Sequence, residues 1–370
     1  MLGKVQVNNL NLLQGPITAV ENLLLYTGKG GGTNEGKIIH VNAQSDLDAV
    51  LGLERSTLKT QVEASQLNAG QNWNAVVLPL RADDDWRSAV DIAVEEVIVE
   101  GIALTDPIAA STDIERMQAQ AERIMARQMA PVWIAGAIRP RLETETWEDY
   151  RSAIAPITAN IVADQVTPTA YLGWGHELGT YCGRLSNKSV TVADSPMRVK
   201  TGPLLGEWSQ WPRDKDGRTL DMATLFALDA ARISVPQDYP GYPGVYWGDG
   251  NVLDVPGGDY QAIENLRVIQ KCMRRVYPLA VGRIGDRTLN ETPESIAAAQ
   301  MHFARPLREM SHSQKVLGVP FPGEIHPPAK NAVILAWRSK YELEIWLTAR
   351  PYNSPKAITC NLLLDLTNYG

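Results

Sequence analysis

Between Trp73 and Val166 the chain alternates short apolar runs with longer amphipathic ones, and this alternation constrains the fold more than any other feature. "WNAVVLPL" reads as a buried strand and "DDDWRSAVDIAVEEV" as a helix, with Asp83, Asp84 and Asp85 at the positive end of its dipole. "IVEGIALT" is a strand, and "STDIERMQAQAERIMARQ" a helix with a capping box from Thr112 to Glu115. "APVWIAGAI", "TWEDYRSAIAPI" and "ANIVADQV" continue as strand, helix and strand. Strands separated by helices of about ten or more residues cannot pair as hairpins, so they imply a largely parallel α/β sheet.

The flanks extend this pattern and then depart from it. Upstream, "ITAVENLLLY" (Ile17–Tyr26) predicts a strand, "GKGGGTNEGK" a loop and "IIHVN" a second strand. Two short helices follow, one capped by Ser45, the other by Ser56 or Thr57 and stopped at Gly70. After about Pro196 the regularity fades. Residues 201–258 are rich in Gly, Pro, Trp and Asp, and so long an irregular segment is usually functional or an interaction surface. Periodicity returns in "YQAIENLRVIQKCMRRVY", where Ile263, Leu266, Ile269, Met273 and Val276 line one helix face. "TPESIAAAQMHFA" is a helix that Pro306 ends or kinks, and "KNAVILAWRSKYELEIWLTARPY" gives one or two strands. The fold class is therefore mixed α/β. Its divisions are an N-terminal arm (1–16), an α/β region (17–200), an irregular connection (201–258), a C-terminal α/β domain (259–356) and a C-terminal arm (357–370).

Composition removes several function classes. A chain of 370 residues, 44% hydrophobic, is long enough for a sizeable core and more than one domain. Its formal net charge of -7 disfavours non-specific nucleic-acid binding. The cysteines Cys182, Cys272 and Cys360 are scattered and read as reduced intracellular thiols. The start "MLGKVQVNNLNLLQGP" lacks the features of a signal peptide, and no apolar run approaches the roughly 20 residues that span a bilayer. These features predict a protein made and kept in the cytosol, or in something assembled there, without membrane insertion.

No pattern argues for a catalytic or cofactor site. "GGTNEGKI" (Gly31–Ile38) nearly fits the phosphate loop G-x-x-x-x-G-K-[ST], but Ile38 replaces the magnesium-binding hydroxyl and a strand, not a helix, follows. A nucleotide-binding enzyme using residues 31–38 is thus the rival reading to a surface loop. The acids before Trp86 suit a helix dipole better than a metal, and the five histidines have no zinc spacing. No nucleophile elbow appears. The prediction is no enzyme, no cofactor and no metal.

Charge and chain ends point instead to assembly. Asp83, Asp84, Asp85, Asp91, Glu95, Glu96 and Glu100 face a single Arg87, whereas Arg267, Lys271, Arg274, Arg275, Arg283 and Arg287 face a single Asp286. These are either two solvated faces or complementary patches that set the register between copies; a nucleic-acid patch is weaker. Both ends carry strand-forming sequence beyond a Gly-Pro or Pro-bounded break: Val5, Val7, Leu10 and Leu12 at the start, Ile358, Cys360, Leu362, Leu364 and Leu366 at the end. Each either folds back as an edge strand or adds to the sheet of a neighbour. Strand donation that does not close a small ring propagates into a polymer.

Four segments carry a family resemblance: "GPITAVENLLLYTGKG", "LGTYCGRLSNKSVTVADSPMRVKTGPL", "GVYWGDGNVLDVPGGDYQAIENLRVIQKCMRRVY" and "LTARPYNSPKAITCNLLLDL". In this order they resemble the contractile tail sheath proteins of bacteriophages and related injection devices, in particular a compact Mu-like phage group. The resemblance implies a structural protein of the virion, assembled in the bacterial host cytoplasm. Hexameric rings would stack around a tail tube, joined by arms inserted into neighbouring sheets, and contraction would drive the tube through the envelope. It implies as partners other copies of the chain, the tail tube protein, and baseplate and tail terminator proteins. The C-terminal domain would lie on the tube side, with Lys271, Arg274, Arg275 and Arg283 as a basic patch facing the tube or a neighbour, and the α/β region farther out. Another virion or baseplate component is the alternative within the same class.

Overall fold

The computed structural model describes residues 20–363. Its first element, β1 (Leu24–Lys29), is followed by a short 3-10 turn and by β2 (Ile39–Asn42), α1 (Leu47–Leu51) and α2 (Thr57–Asn68). Then β3 (Asn74–Leu80), α3 (Trp86–Glu96), β4 (Gly101–Ile108), α4 (Ser111–Gln128), β5 (Trp133–Ile138), α5 (Trp147–Thr158) and β6 (Val166–Thr169) realise the alternation. The six strands form one sheet in the order β2-β3-β1-β4-β5-β6. Only β2 runs antiparallel to its neighbour; the β1–β3, β1–β4, β4–β5 and β5–β6 pairs are parallel. The mixed α/β class is therefore observed, with small antiparallel hairpins outside the sheet.

Several local expectations shift. β1 starts at Leu24 rather than Ile17, because Val20–Leu23 close a turn (Leu23 N to Val20 O, 3.1 Å) in which Asn22 has φ 70°. Residues 17–19 of the expected strand lie outside the described residues. In "LLYTGK" five consecutive residues are buried, so a central strand shows a continuous apolar run rather than alternation. The Thr112–Glu115 capping box does not form: α4 starts after Ala110, whose methyl cannot cap, and the Asp113 carboxylate alone reaches back, accepting from the backbone N–H groups of Ala109 and Ala110 at 2.9 and 3.0 Å. Asp46, not Ser45, caps α1, accepting from Asp48 and Ala49. "ANIVADQV" is mostly turn; only Val166 belongs to β6, whose start is set by pairing with Ile134 of β5.

Helices cover both faces of the sheet. On one, Val90, Val94, Ile114, Met117, Ile124, Tyr150 and Ile154 pack on Leu25, Val76, Ile102 and Ile134. On the other, Leu58, Val62, Leu178, Tyr181 and Leu185 pack on Leu24, Tyr26, Val77 and Ala135. The second face needs α6 (Glu177–Leu185), which crosses α2 closely. A Cβ on Gly179 would lie 2.1 Å from the Gln61 carbonyl oxygen, and one on Gly183 2.8 Å from that of Ser65, so only glycine permits this approach.

The segment 201–258 is less irregular than its composition suggests. It holds α7 (Met222–Ala230), β7 (Pro236–Tyr239) and β8 (Tyr242–Trp247). Its loops also cover the outer edge of β6: Ala170 N donates to Ser234 O and Leu253 N to Val166 O. An uncovered parallel edge would expose unpaired backbone groups.

The chain then forms α8 (Ile263–Val281), α9 (Pro293–Phe303), α10 (Arg305–Ser311), the small pair β9 (Gln314–Val316) and β10 (Val319–Phe321), and the hairpin β11 (Val333–Ser339) with β12 (Glu342–Leu347). Pro306 sits in the first turn of α10, where its missing N–H costs nothing. Val268, Cys272, Phe303, Leu307, Met310, Ile325 and Val333 make a third, separate core.

Candidate functional site

At the switch point between β1 and β4, an open α/β sheet usually leaves a ligand crevice at the carboxyl ends of its strands. Here that position is filled. Gly28 lies so close to Thr105 that a Cβ would meet its Oγ1 at 1.8 Å, and Thr105 Oγ1 donates to Thr27 O at 3.2 Å. Lys37, the lysine of the near-phosphate loop, donates to Thr33 O (3.3 Å) and Asn34 Oδ1 (3.1 Å) of its own turn. The residue after Ile38 opens β2, not a helix. The depression that Lys37 lines also receives Asp84 and Asp85, whose carboxylates oppose a phosphate. Among the described residues no three His, Cys, Asp or Glu side chains are grouped to hold a metal ion.

The charged blocks meet within one chain. Arg267 pairs with Glu100 through Nε–Oε1 at 2.7 Å and Nη2–Oε2 at 2.9 Å, both side chains buried. Arg267 Nη2 also donates to Asn22 Oδ1 at 2.9 Å. Burial alone would raise the Glu100 carboxyl, but Arg267 outweighs it and holds the group below the usual carboxylate range. In the acidic block, Asp91 is paired with Arg123 and Arg127, and Glu95 with Arg127, all reaching from α4.

The expected basic patch is largely consumed in the same way. Lys271 is buried and donates to Glu324 Oε1 at 2.6 Å. Arg274 donates to Pro131 O at 3.1 Å and stands 3.5 Å from Glu21. Arg283 pairs locally with Asp286 at 2.8 Å. Arg275 is half-buried. A cation at helix spacing that finds a carboxylate from another element becomes an internal tie rather than a surface charge, and sequence spacing cannot distinguish the two.

Of the arm residues, Ile358, Cys360 and Leu362 are exposed and outside any strand. Val5, Val7, Leu10, Leu12, Leu364 and Leu366 lie outside the described residues. Sequence reasoning missed the root of the C-terminal arm. There Lys356 Nζ lies 2.5 Å from Asp249 Oδ1, 2.7 Å from Asp249 Oδ2 and 2.9 Å from Glu264 Oε1. Burial works to lower the Lys356 ammonium, but Glu264 and Asp249 outweigh it and raise it. Nothing in "SPKA" marks this lysine as a tie. Just before it, β11 and β12 pair with no other strand among the described residues, although the Val333 carbonyl of β11 accepts from Gln300 Nε2 at 3.1 Å.

This fold, with a doubly covered sheet followed by a helical part and a two-stranded hairpin, is similar over nearly its whole length to solved contractile sheath structures. The chain superposes on the sheath of the PVC extracellular contractile injection system in its contracted state with a TM-score of 0.63 at 10% identity, covering 99% of this chain and 98% of that one. It superposes on the contracted helical sheath of the anti-feeding prophage with a TM-score of 0.62 at 12% identity, covering 98% and 100%. Residues 2–251 match the DUF2586 N-terminal domain and residues 259–367 the DUF2586 C-terminal domain. Over 377 aligned positions, covering all of both chains, it is 41% identical to a protein of Haemophilus phage HP1 that is named, provisionally, a tail sheath protein. The chain belongs to the DUF2586 family and, with its HP1 relative, to the phage tail sheath proteins: a structural component of the virion's contractile tail, not an enzyme.

Proposed function

We propose that this chain forms hexameric rings that stack into a helical sheath around the tail tube, linked by its terminal arms, and that contraction of this lattice drives the tube through the host envelope. The observation that carries the reading is the end of the chain. Residues 357–363 are exposed and carry no secondary structure, although Ile358, Leu362 and Leu363 are 76%, 95% and 96% accessible. A two-stranded hairpin is marginal alone and gains stability from a third strand. The hairpin of β11 and β12, which pairs with no other described strand, and the described part of the arm, 357–363, which forms no strand, suit strand addition between copies, with backbone hydrogen bonds giving affinity and alternate side chains giving register.

The arms in this reading are residues 1–16 and 357–370. The α/β region 17–200 faces outward, the segment 201–258 connects, and 259–356 lines the tube side. The partners are other copies of the chain, the tail tube protein, and the baseplate and tail terminator proteins. The lattice is assembled in the host cytoplasm. With Lys271 and Arg274 engaged inside the fold, Arg275 and Arg283 are the members of the basic set left to face the tube or a neighbour. The energy for contraction is stored in the lattice, so each subunit needs to release only a few kcal/mol and no nucleotide.

Negative-stain electron microscopy of the purified protein tests the reading. Long tubes or stacked rings are expected from the full chain, and folded monomers after deletion of residues 357–370. Unchanged tubes after the deletion would refute strand donation, and closed rings without tubes would favour a baseplate component.

A further inference from the structure

One face of α8 carries a charged residue at each helical repeat: Glu264, Arg267, Lys271 and Arg274. The spacing of three, four and three places all four in one stripe. Each is tied to a different part of the chain. Glu264 holds Lys356, at the root of the C-terminal arm, 2.9 Å away. Arg267 holds Asn22, and Arg274 lies against Glu21, so these two ties secure the chain just before β1. Lys271 holds Glu324, whose neighbour Ile325 bridges to Pro351, shortly before the C-terminal arm begins. Glu264 and Arg274 are separated by ten residues, about 15 Å of helix.

We propose that α8 is a mechanical tie between the two chain ends. Tension that enters at Glu21 and Asn22 crosses to Lys356 through one helix and its polar ties, in parallel with the path through Glu100 and β1 into the sheet. The use of such a tie rests on the sheath reading, in which both arms are pulled when rings move. An α-helix held at both ends changes length little, so the distance between the arm roots stays fixed. Movement of the lattice then occurs beyond the clamps, on the arm side of Val20 and of Lys356. The clamp at Lys356 is partly accessible, with 30% of its side chain exposed, and is the place where the tie yields first.

Single full-length molecules, held by handles at residues 1 and 370 in an optical trap, test the tie directly. Lys356→Met keeps the aliphatic stem and removes the charge; Arg274→Met does the same at the other root. Lys215→Met, which removes a surface ion pair with Asp149 away from α8, is the control. The expected result is a first rupture at lower force in Lys356→Met and Arg274→Met and at wild-type force in Lys215→Met. Rupture of Lys356→Met at wild-type force, or an equal drop in Lys215→Met, overturns the proposal. If Arg274→Met does not fold, Lys356→Met alone decides. This readout needs no assembly, so a wild-type chain that makes no tubes counts against the sheath reading and leaves the tie to be judged by the trap.

Discussion

Arg267 of α8 and Glu100 at the entrance to β4 form a two-pronged ion pair, 2.7 and 2.9 Å long, buried between the sheet and the C-terminal domain. Glu100 also accepts the backbone N–H of Asn22 at 2.5 Å, so one carboxylate joins β4, the turn before β1 and α8. Residues 167 positions apart in sequence thereby fix the contact between the two parts of the fold.

Breaking this pair from one side strands a buried charge. Arg267→Met is expected to destabilise the chain by about 3–5 kcal/mol, and Arg267→Met with Glu100→Gln by less than the sum of the single changes. Denaturant unfolding of the four proteins gives the coupling. Because the folded carboxyl titrates below its unfolded value, its contribution is present at neutral pH and is lost as pH falls through the folded value.

The α2–α6 crossing predicts a sharp steric effect. Gly179→Ala puts a methyl group 2.1 Å from the Gln61 carbonyl oxygen, and the helices must separate. A loss of about 1–3 kcal/mol is expected, read as a lower melting temperature. Gly202→Ala meets no atom within 4 Å and acts only through its positive φ of 98°, so it is the milder change.

Two aspartates, Asp149 and Asp286, add to the acid sensitivity. Asp149 is held down to about 2 by hydrogen bonds from the backbone and side chain of Thr146, with Lys215 adding to them. Asp286 is held at about 2 by the backbone and side chain of Thr288, then Arg283. Their stabilisation is complete above the ordinary carboxylate value of 3.8 and is lost as pH falls toward 2. Asp149→Asn is expected to flatten the melting temperature against pH between those limits.

Thiol labelling separates the three cysteines. Cys182 and Cys272 are buried, and burial raises the Cys272 thiol to about 11, whereas Cys360 is exposed in the arm. A maleimide is expected to modify Cys360 at once and the other two only on unfolding. In assembled tubes Cys360 is expected to be protected; undiminished labelling there would argue that the arm stays free.

Residue periodicity alone dictated the parallel α/β core, because strand and helix periods differ and a run such as "WNAVVLPL" followed by "DDDWRSAVDIAVEEV" satisfies only one of them at a time. The sequence also weakened the near-phosphate loop, since Ile38 can supply no hydroxyl, but left nucleotide binding at 31–38 as a rival until Ile39 was seen to open a strand. The start of β1, the placement of β6 and the cap of α4 were decided by pairing and by which carboxylate could reach a free N–H, here Asp113 rather than Glu115. The charged stripe of α8 was visible as a pattern, yet only the tertiary structure turned Arg267, Lys271 and Arg274 from surface cations into ties. Periodicity records which side of a helix a residue occupies. Which element packs on that side depends on contacts between residues far apart in the chain, and an ion pair exists only where both partners arrive.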